Sequence, residues 1–262
     1  MSPHLRVNWC STEAARYAVM AWHYSKNMPT PGKWVKLGIW WKDRFAGAVV
    51  FSRPCRNQHL MFDLKPEQVC ELGRVAMDRH EGFRVTEVVA AALVMLKKQC
   101  PGMRLVVSFA DPDQGHVGRI YQAGNWIYTG VSGAAKQLVH QGKKLHRRQF
   151  TGRGYYGKPK QNPPKGSVWI PVPPKHRYVM PLDKGMRRQV LKLALPYPQP
   201  ADASVGGAGH QSGQAVQPLP SASPAPAPPE LRRMPPPEAM HGAEIQEDHR
   251  TPEQRDAEAG IP

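Results

Sequence analysis

The sequence predicts one α/β (α+β) domain, a mixed central sheet flanked by helices, followed by a polar tail. Three observations predict it. Over residues 1–130, apolar runs of strand character alternate with amphipathic stretches. Their order is helix, hairpin, strand, helix, strand, helix, strand, which needs antiparallel neighbours and a parallel crossover in one sheet. Residues 201–262 are rich in Pro and Ala and poor in aromatic residues. Such a segment cannot bury enough apolar surface to offset its ordering entropy, so it is expected to be a disordered acidic tail. The body, 1–200, is then of ordinary single-domain size. Within it, 131–200 reads as a basic, loop-rich extension.

Each element has a local reason. Ser11 and Thr12 open a helix to Trp22 (STEAARYAVMAW), with Glu13 in the first turn. His23 to Lys33 is a turn-rich loop. Trp34–Trp41 and Phe45–Phe51 are strands joined through Lys42-Asp43-Arg44. Val69–Met77 (VCELGRVAM) is a third strand. Phe83–Cys100 is a long amphipathic helix, apolar on Val85, Val88, Val89, Ala92, Leu93 and Leu96, with Lys97 and Lys98 in its last turn. Arg104–Ala110 (RLVVSFA) is a buried strand. Asp111-Pro112-Asp113 turns the chain and caps a helix over about Gln114–Gln122. Gly124 sits where a helix end wants a left-handed residue, and a last strand begins at Asn125.

Charge is unevenly spread. Residues 1–200 carry 32 Lys+Arg and 11 Asp+Glu, a net +21, while 201–262 carry 4 and 9, a net −5. A strongly basic body is the footprint of a polyanion binder, and double-stranded DNA is the expected partner. The segment Gln141 to Gln161 alternates cations with aromatic rings. Lys143, Lys144, Arg147, Arg148, Arg153 and Tyr155 are its candidate DNA contacts, with Lys33 and Lys36 as a second group. No run of 18 apolar residues and no signal peptide is present, which points to a cytoplasmic protein with no membrane partner. The four cysteines, Cys10, Cys55, Cys70 and Cys100, form no C-x-x-C pair and read as reduced thiols.

Candidate chemistry sits at the element junctions. Tyr121, on the last turn of the short helix, lies near the strand ends; by itself it is equally a core tyrosine. Glu71 and Arg74 lie on the third strand, and on a regular strand they face opposite ways. His23-Tyr24 follows the first helix in a loop bearing Lys26, Lys33 and Trp34, where rings can stack on an unstacked base.

The strand–acid–helix–Tyr–Gly–strand order of Asp111 to Gly130 resembles the second half of a GNAT-type N-acyltransferase core. That resemblance implies a helix tyrosine that protonates the leaving group and a strand carboxylate, Glu71, as general base. It also implies an acyl-CoA-like donor whose pyrophosphate lies on a loop at Arg79-His80-Glu81-Gly82-Phe83-Arg84. Arg79, Gly82, Arg84 and Arg74 would then touch the donor. Arg84 stands where the family has a small residue, and Glu81 would repel a pyrophosphate.

More specifically, Ala21-Trp22-His23-Tyr24-Ser25, the ELGRVA strand from Glu71 to Ala76, and Leu96 to Gly130 resemble the Mom family of bacteriophage DNA modification proteins. Lys175 to Pro198 resembles the end of related phage proteins. The resemblance spans residues 3–198. It implies a divergent GNAT-type enzyme that places a carbamoylmethyl (acetamido) group on adenine N6 in the bacterial host and so protects phage DNA from restriction. It implies catalytic roles for His23, Tyr24, Asp111 and Tyr121, and bound iron with His23, Tyr24 and Asp111 as ligands. The alternatives are a GNAT N-acetyltransferase acting on a protein or small-molecule amine, or a non-catalytic DNA-binding protein. A small-molecule enzyme has no need of a +21 body, and the sequence holds no helix-turn-helix or zinc-finger motif.

Overall fold

The structure, a computed structural model, describes residues 2–29, 33–54, 57–78, 82–145, 150 and 162–199. The chain starts with an unforeseen edge strand, β1 (Leu5–Trp9), followed by α1 (Thr12–Trp22). Ser11 caps α1 as expected, its Oγ accepting from the Ala14 N–H at 3.1 Å. The buried face of α1 is Ala14, Ala15, Ala18 and Val19. Side chains this small let the helix lie close on the sheet, against Ala48, Val50 and Ala76. β2 (Trp34–Trp41) and β3 (Arg44–Ser52) form the predicted hairpin. Its tight turn is Lys42-Asp43, both at positive φ (48° and 63°), the backbone twist a two-residue hairpin requires.

A short helix, α2 (Gln58–Met61), leads to β4 (Val69–Met77), and α3 (Val85–Gln99) crosses over to β5 (Leu105–Ala110). The predicted helix over 114–122 is corrected. Pro112–Gln114 form a single 3-10 turn, and α4 is only Arg119–Ala123. Gly115 (φ 68°) and Gly118 (φ 85°) break the helix between them. A Cβ on Gly118 would stand 2.3 Å from the Tyr178 ring, so the glycine is also what lets that ring pass beneath the backbone. The left-handed residue after α4 is Asn125 (φ 58°), not Gly124 (φ −92°).

The stretch 131–199, expected to be loop-rich, supplies strands and a helix: β6 (Ile127–Val131) runs into it, and β7 (Ala135–His140), β8 (Lys143–Leu145), β9 (Val168–Val172), β10 (His176–Pro181) and α5 (Lys184–Leu191) follow. The main sheet has the order β1-β2-β3-β4-β5-β10-β6, and β8-β7-β9 form a second, smaller sheet. β10 lies between β5 and β6 and pairs antiparallel with both. Its neighbours Tyr178 and Val179 are both fully buried, on opposite faces. α3 covers one face of the sheet, while α1 and α5 share the other; Met186 and Val190 of α5 pack there against Val69, Val107 and Val179. Asp183 caps α5, accepting from the Met186 N–H at 2.7 Å, and pairs with Arg104 at 2.8 Å. The Arg104 hydrogen bond holds the Asp183 carboxyl down at about 2.

Register along β4 decides the site. Val50 of β3 pairs with Arg74 and Phe51 with Leu72, so Gly73 is an extra residue, a β-bulge. Before it, Cys70 and Leu72 face α3; after it, Val75 and Met77 do. The parity switch therefore puts Glu71 and Arg74 on the same face, the α1 side, and overturns the expectation of opposite faces from a regular strand.

A candidate active-site cavity between the splayed strands

β4 and β5 run parallel for only three pairs, Val69 to Glu71 against Leu105 to Val107. Beyond them the strands part. The wedge opens into a cavity of about 790 Å³, within the usual range for small-molecule sites. One wall is the bulged β4 from Glu71 to Val75, another the loop from Gly115 into α4, and a third is Ser132, Gly133 and Ala135 with Val172 to Arg177. His23 and Tyr24 lie at the end of α1, and Tyr121 completes the lining. Thus Glu71, Arg74, His23, Tyr24 and Tyr121, far apart in sequence, line one space.

Tyr121 is almost wholly buried, its ring 5.1 Å from those of Trp126 and Tyr178. Its hydroxyl is hydrogen-bonded to Ser108 Oγ at 2.7 Å, and Ser108 Oγ donates to the Leu72 carbonyl at 2.9 Å where the strands diverge. Burial pushes the phenol up to about 12, so it keeps its proton at neutral pH.

His23 is the C-cap of α1. Its Nδ1 accepts the Ser25 N–H at 3.1 Å and lies 2.9 Å from Ser25 Oγ. A backbone N–H can only donate, so Nδ1 holds a lone pair and the neutral ring carries its proton on Nε2. Burial, followed by the nearby Arg74, His116 and Lys26 charges, lowers this imidazole to about 4. It is neutral at physiological pH and presents an N–H donor. Tyr24 is half exposed, its ring 4.4 Å from His23 and 5.7 Å edge-on from His116. Arg74 secures the loop, its Nε donating to the Asn27 carbonyl at 2.7 Å and its Nη1 to the Gly73 carbonyl at 2.6 Å.

Asp111 acts as a turn cap, accepting from the Asp113 N–H at 3.2 Å, and its other oxygen is taken by Lys175 at 2.6 Å. Among the described residues no group of three or more His, Cys, Asp or Glu is placed to hold a metal ion. Of the three residues expected to hold iron, His23 and Tyr24 line the cavity, while Asp111 is paired with Lys175.

The expected donor loop is also put to other uses. A Cβ on Gly82 would stand 2.2 Å from the Trp41 indole, so the missing side chain makes room for that ring, which packs on Phe83 and His4. Arg84 is the N-cap of α3, its N–H bonded to the Glu87 carboxylate at 3.2 Å. Glu87 thereby brings an anion to the helix start where a pyrophosphate was expected. Arg79 lies outside the described residues.

Of the expected DNA contacts, Lys143 and Lys144 are exposed on β8, with Lys144 3.5 Å from Asp113. Lys33 is exposed. Lys36 is bound to Thr12 Oγ1 at 2.6 Å and serves the start of α1 instead of the surface. Arg147, Arg148, Arg153 and Tyr155 lie outside the described residues. Cys10, Cys70 and Cys100 are free thiols, and burial raises all three. No described helix is long and apolar enough to cross a membrane.

Sequence reasoning missed His116, Arg119, Lys175 and Arg177, all of which line the cavity. The signal was present in His176-Arg177-Tyr178-Val179-Met180, a short strand pattern followed by Asp183 as a cap and by Met186 and Val190 four residues apart.

The chain is similar in outline to solved acetyltransferases. It aligns with a Bacillus subtilis acetyltransferase in complex with CoA at 12% identity and TM-score 0.39, covering 68% of this chain and 98% of that one. A ribosomal-protein-S5-alanine acetyltransferase from Vibrio fischeri gives 10% identity and TM-score 0.39, with coverage of 70% and 96%. A spermidine N-acetyltransferase from Vibrio cholerae in complex with CoA and spermine gives 5% and 0.38, with 69% and 96%. No curated protein matches. The family model of the Mom protein family matches residues 4–199, the whole of the sheet and its helices, and the chain belongs to that family.

Proposed function

We propose that this protein is a phage DNA-modifying transferase that adds a carbamoylmethyl group to adenine N6 and protects the DNA from restriction. The observation that carries the reading is the family match over the whole folded body, taken with what its cavity contains. Adenine N6 inside a duplex is out of reach, so the base must leave the stack at a cost of a few kcal/mol. Aromatic stacking, about 1–3 kcal/mol per base, offsets that cost. The half-exposed Tyr24, backed by His23 and His116, is the surface on which the base would lie.

In this reading the neutral His23 offers its Nε2–H to a ring nitrogen of the purine, and N6 displaces the carbamoylmethyl carbon from its carrier: the new N–C bond forms as the carbon–carrier bond breaks, and Glu71 takes the N6 proton. Tyr121, still protonated at neutral pH, supplies a proton to the departing group. Gly82 makes room for the Trp41 ring and Arg84 caps α3. Four cationic side chains line the cavity, with Glu71 as the carboxylate among the described lining residues, which suits a polyanionic substrate.

Mass analysis of nucleosides from DNA of cells expressing the chain tests this. An altered deoxyadenosine is the expected result. Unaltered DNA together with acetylated protein amines would replace the reading by an ordinary N-acetyltransferase.

A further inference from the structure

We propose that Arg177 is a seat for one phosphodiester of the strand whose base enters the cavity, so that DNA is gripped from inside the site as well as by the outer basic segment. This rests on the DNA-modifying reading above. Arg177 stands on β10, on the α1/α5 face of the sheet, and lines the cavity half-buried. Its Nε donates to Thr129 Oγ1 at 3.0 Å and its Nη2 to the Thr129 carbonyl at 2.7 Å. Thr129 is itself buried, so these two bonds fix the plane of the guanidinium. Three of its five N–H groups remain for a ligand.

Among the described residues no carboxylate lies within ion-pair distance of Arg177. The cavity's other cations are provided for: Lys175 is paired with Asp111, Arg74 is bonded to two backbone carbonyls, and Arg119 stands exposed to water. A partly desolvated charge without a counter-charge is unfavourable, and burial indeed lowers the Arg177 pKa. A fold that holds such a group rigid, and faces it into a cavity of net positive charge, is prepared for an oxyanion. The planar fork suits the two oxygens of a phosphate or carboxylate. An extruded nucleotide carries its own flanking phosphates to the mouth of the pocket, and the wall beside Arg177 continues through Ala135 and Val172 into the small sheet that bears Lys143 and Lys144. That path runs from the outer basic surface to Arg177, which favours a phosphodiester.

The test measures binding of the full chain to a short adenine-containing duplex across a range of salt concentrations. Arg177→Gln should bind several-fold more weakly, and its slope of log affinity against log salt should shrink by about 0.9, the value for one phosphate contact. Arg177→Lys should keep the slope, because counterion release counts charge and not shape. Thermal melting follows the fold of each variant. If Arg177→Gln does not fold, Thr129→Val decides: it loosens the guanidinium, and should weaken binding with the slope retained. Unchanged binding in that variant overturns the seat. An equal loss of slope in the Gln and Lys variants makes Arg177 a structural prop and overturns it as well. An unchanged slope with lost DNA modification assigns the anion to the donor, and also overturns it. Parallel nucleoside analysis separates the two proposals. A changed slope with unmodified adenine in the wild type keeps the phosphate seat and removes the modification activity; modified adenine with an unchanged slope does the reverse.

Discussion

Tyr121→Phe separates chemistry from packing at this site. The substitution removes one hydroxyl and leaves the ring against Trp126 and Tyr178. The bond lost is the 2.7 Å contact with Ser108, and Ser108 keeps its bond to the Leu72 carbonyl, so no buried polar group is left without a partner. The stability cost is therefore the net worth of one hydrogen bond, about 1 kcal/mol. In a domain of this size that lowers Tm by roughly 2–4 °C. Loss of a positioned acid lowers the rate by roughly 10²–10⁴-fold. The assay is the fraction of altered deoxyadenosine in plasmid DNA, beside a melting curve of the same variant. Tyr24→Phe is the matched control: its ring is half exposed and stacks through its face, so it should lose far less activity. Full modification by Tyr121→Phe would refute the acid role, and a collapse of folding would make Tyr121 a core residue with no chemistry of its own.

Other expectations follow from single contacts. Gly118→Ala forces a Cβ against the Tyr178 ring at a residue of positive φ, and should destabilise the fold by several kcal/mol in chemical denaturation; a loss below 1 kcal/mol would show that the ring beneath α4 yields easily. Asp111→Asn keeps the turn cap and removes the charge that holds Lys175, so Tm should barely move while DNA modification falls; equal modification would reduce Asp111 to a cap and an anchor. His23 is lowered from 6.5 to about 4, so its contribution to stability is complete above pH 6.5 and is lost as pH falls toward 4. Asp183 is lowered from 3.8 to about 2, and its contribution, present above 3.8, disappears only between those values. Melting curves of His23→Gln should therefore lack the first decline and keep the second. Removal of residues 201–262, which lie outside the described residues, should leave Tm and in-cell modification unchanged; a fall of more than a few degrees would show that the tail packs on the body.

The order of the main elements was legible because local signals agreed. Ser11 caps α1, Lys42-Asp43 turn the hairpin, and the apolar stripe of α3 repeats at helical spacing. Tyr121 and the His23-Tyr24 pair were also legible as candidates, since they sit at the ends of helices that the sequence predicts. Sequence alone also separated the basic body from the acidic tail, because charge and composition require no contacts to be read.

The tertiary structure decided what those residues can do. One extra residue at Gly73 brings Glu71 and Arg74 to one face, and a bulge depends on pairing with β3, which no local pattern in β4 records. β10 enters the sheet between β5 and β6 from a stretch rich in charge and proline, because its place is set by long-range pairing with those two strands. The use of Gly82 was set by the Trp41 ring, and the tautomer of His23 by a backbone N–H two residues on. The cavity itself exists because β4 and β5 pair for three residues and then part. It is a property of strand twist and register, shared among segments as far apart in the chain as Trp22 and Arg177, which is why a reading along the sequence found some of its members but not the space between them.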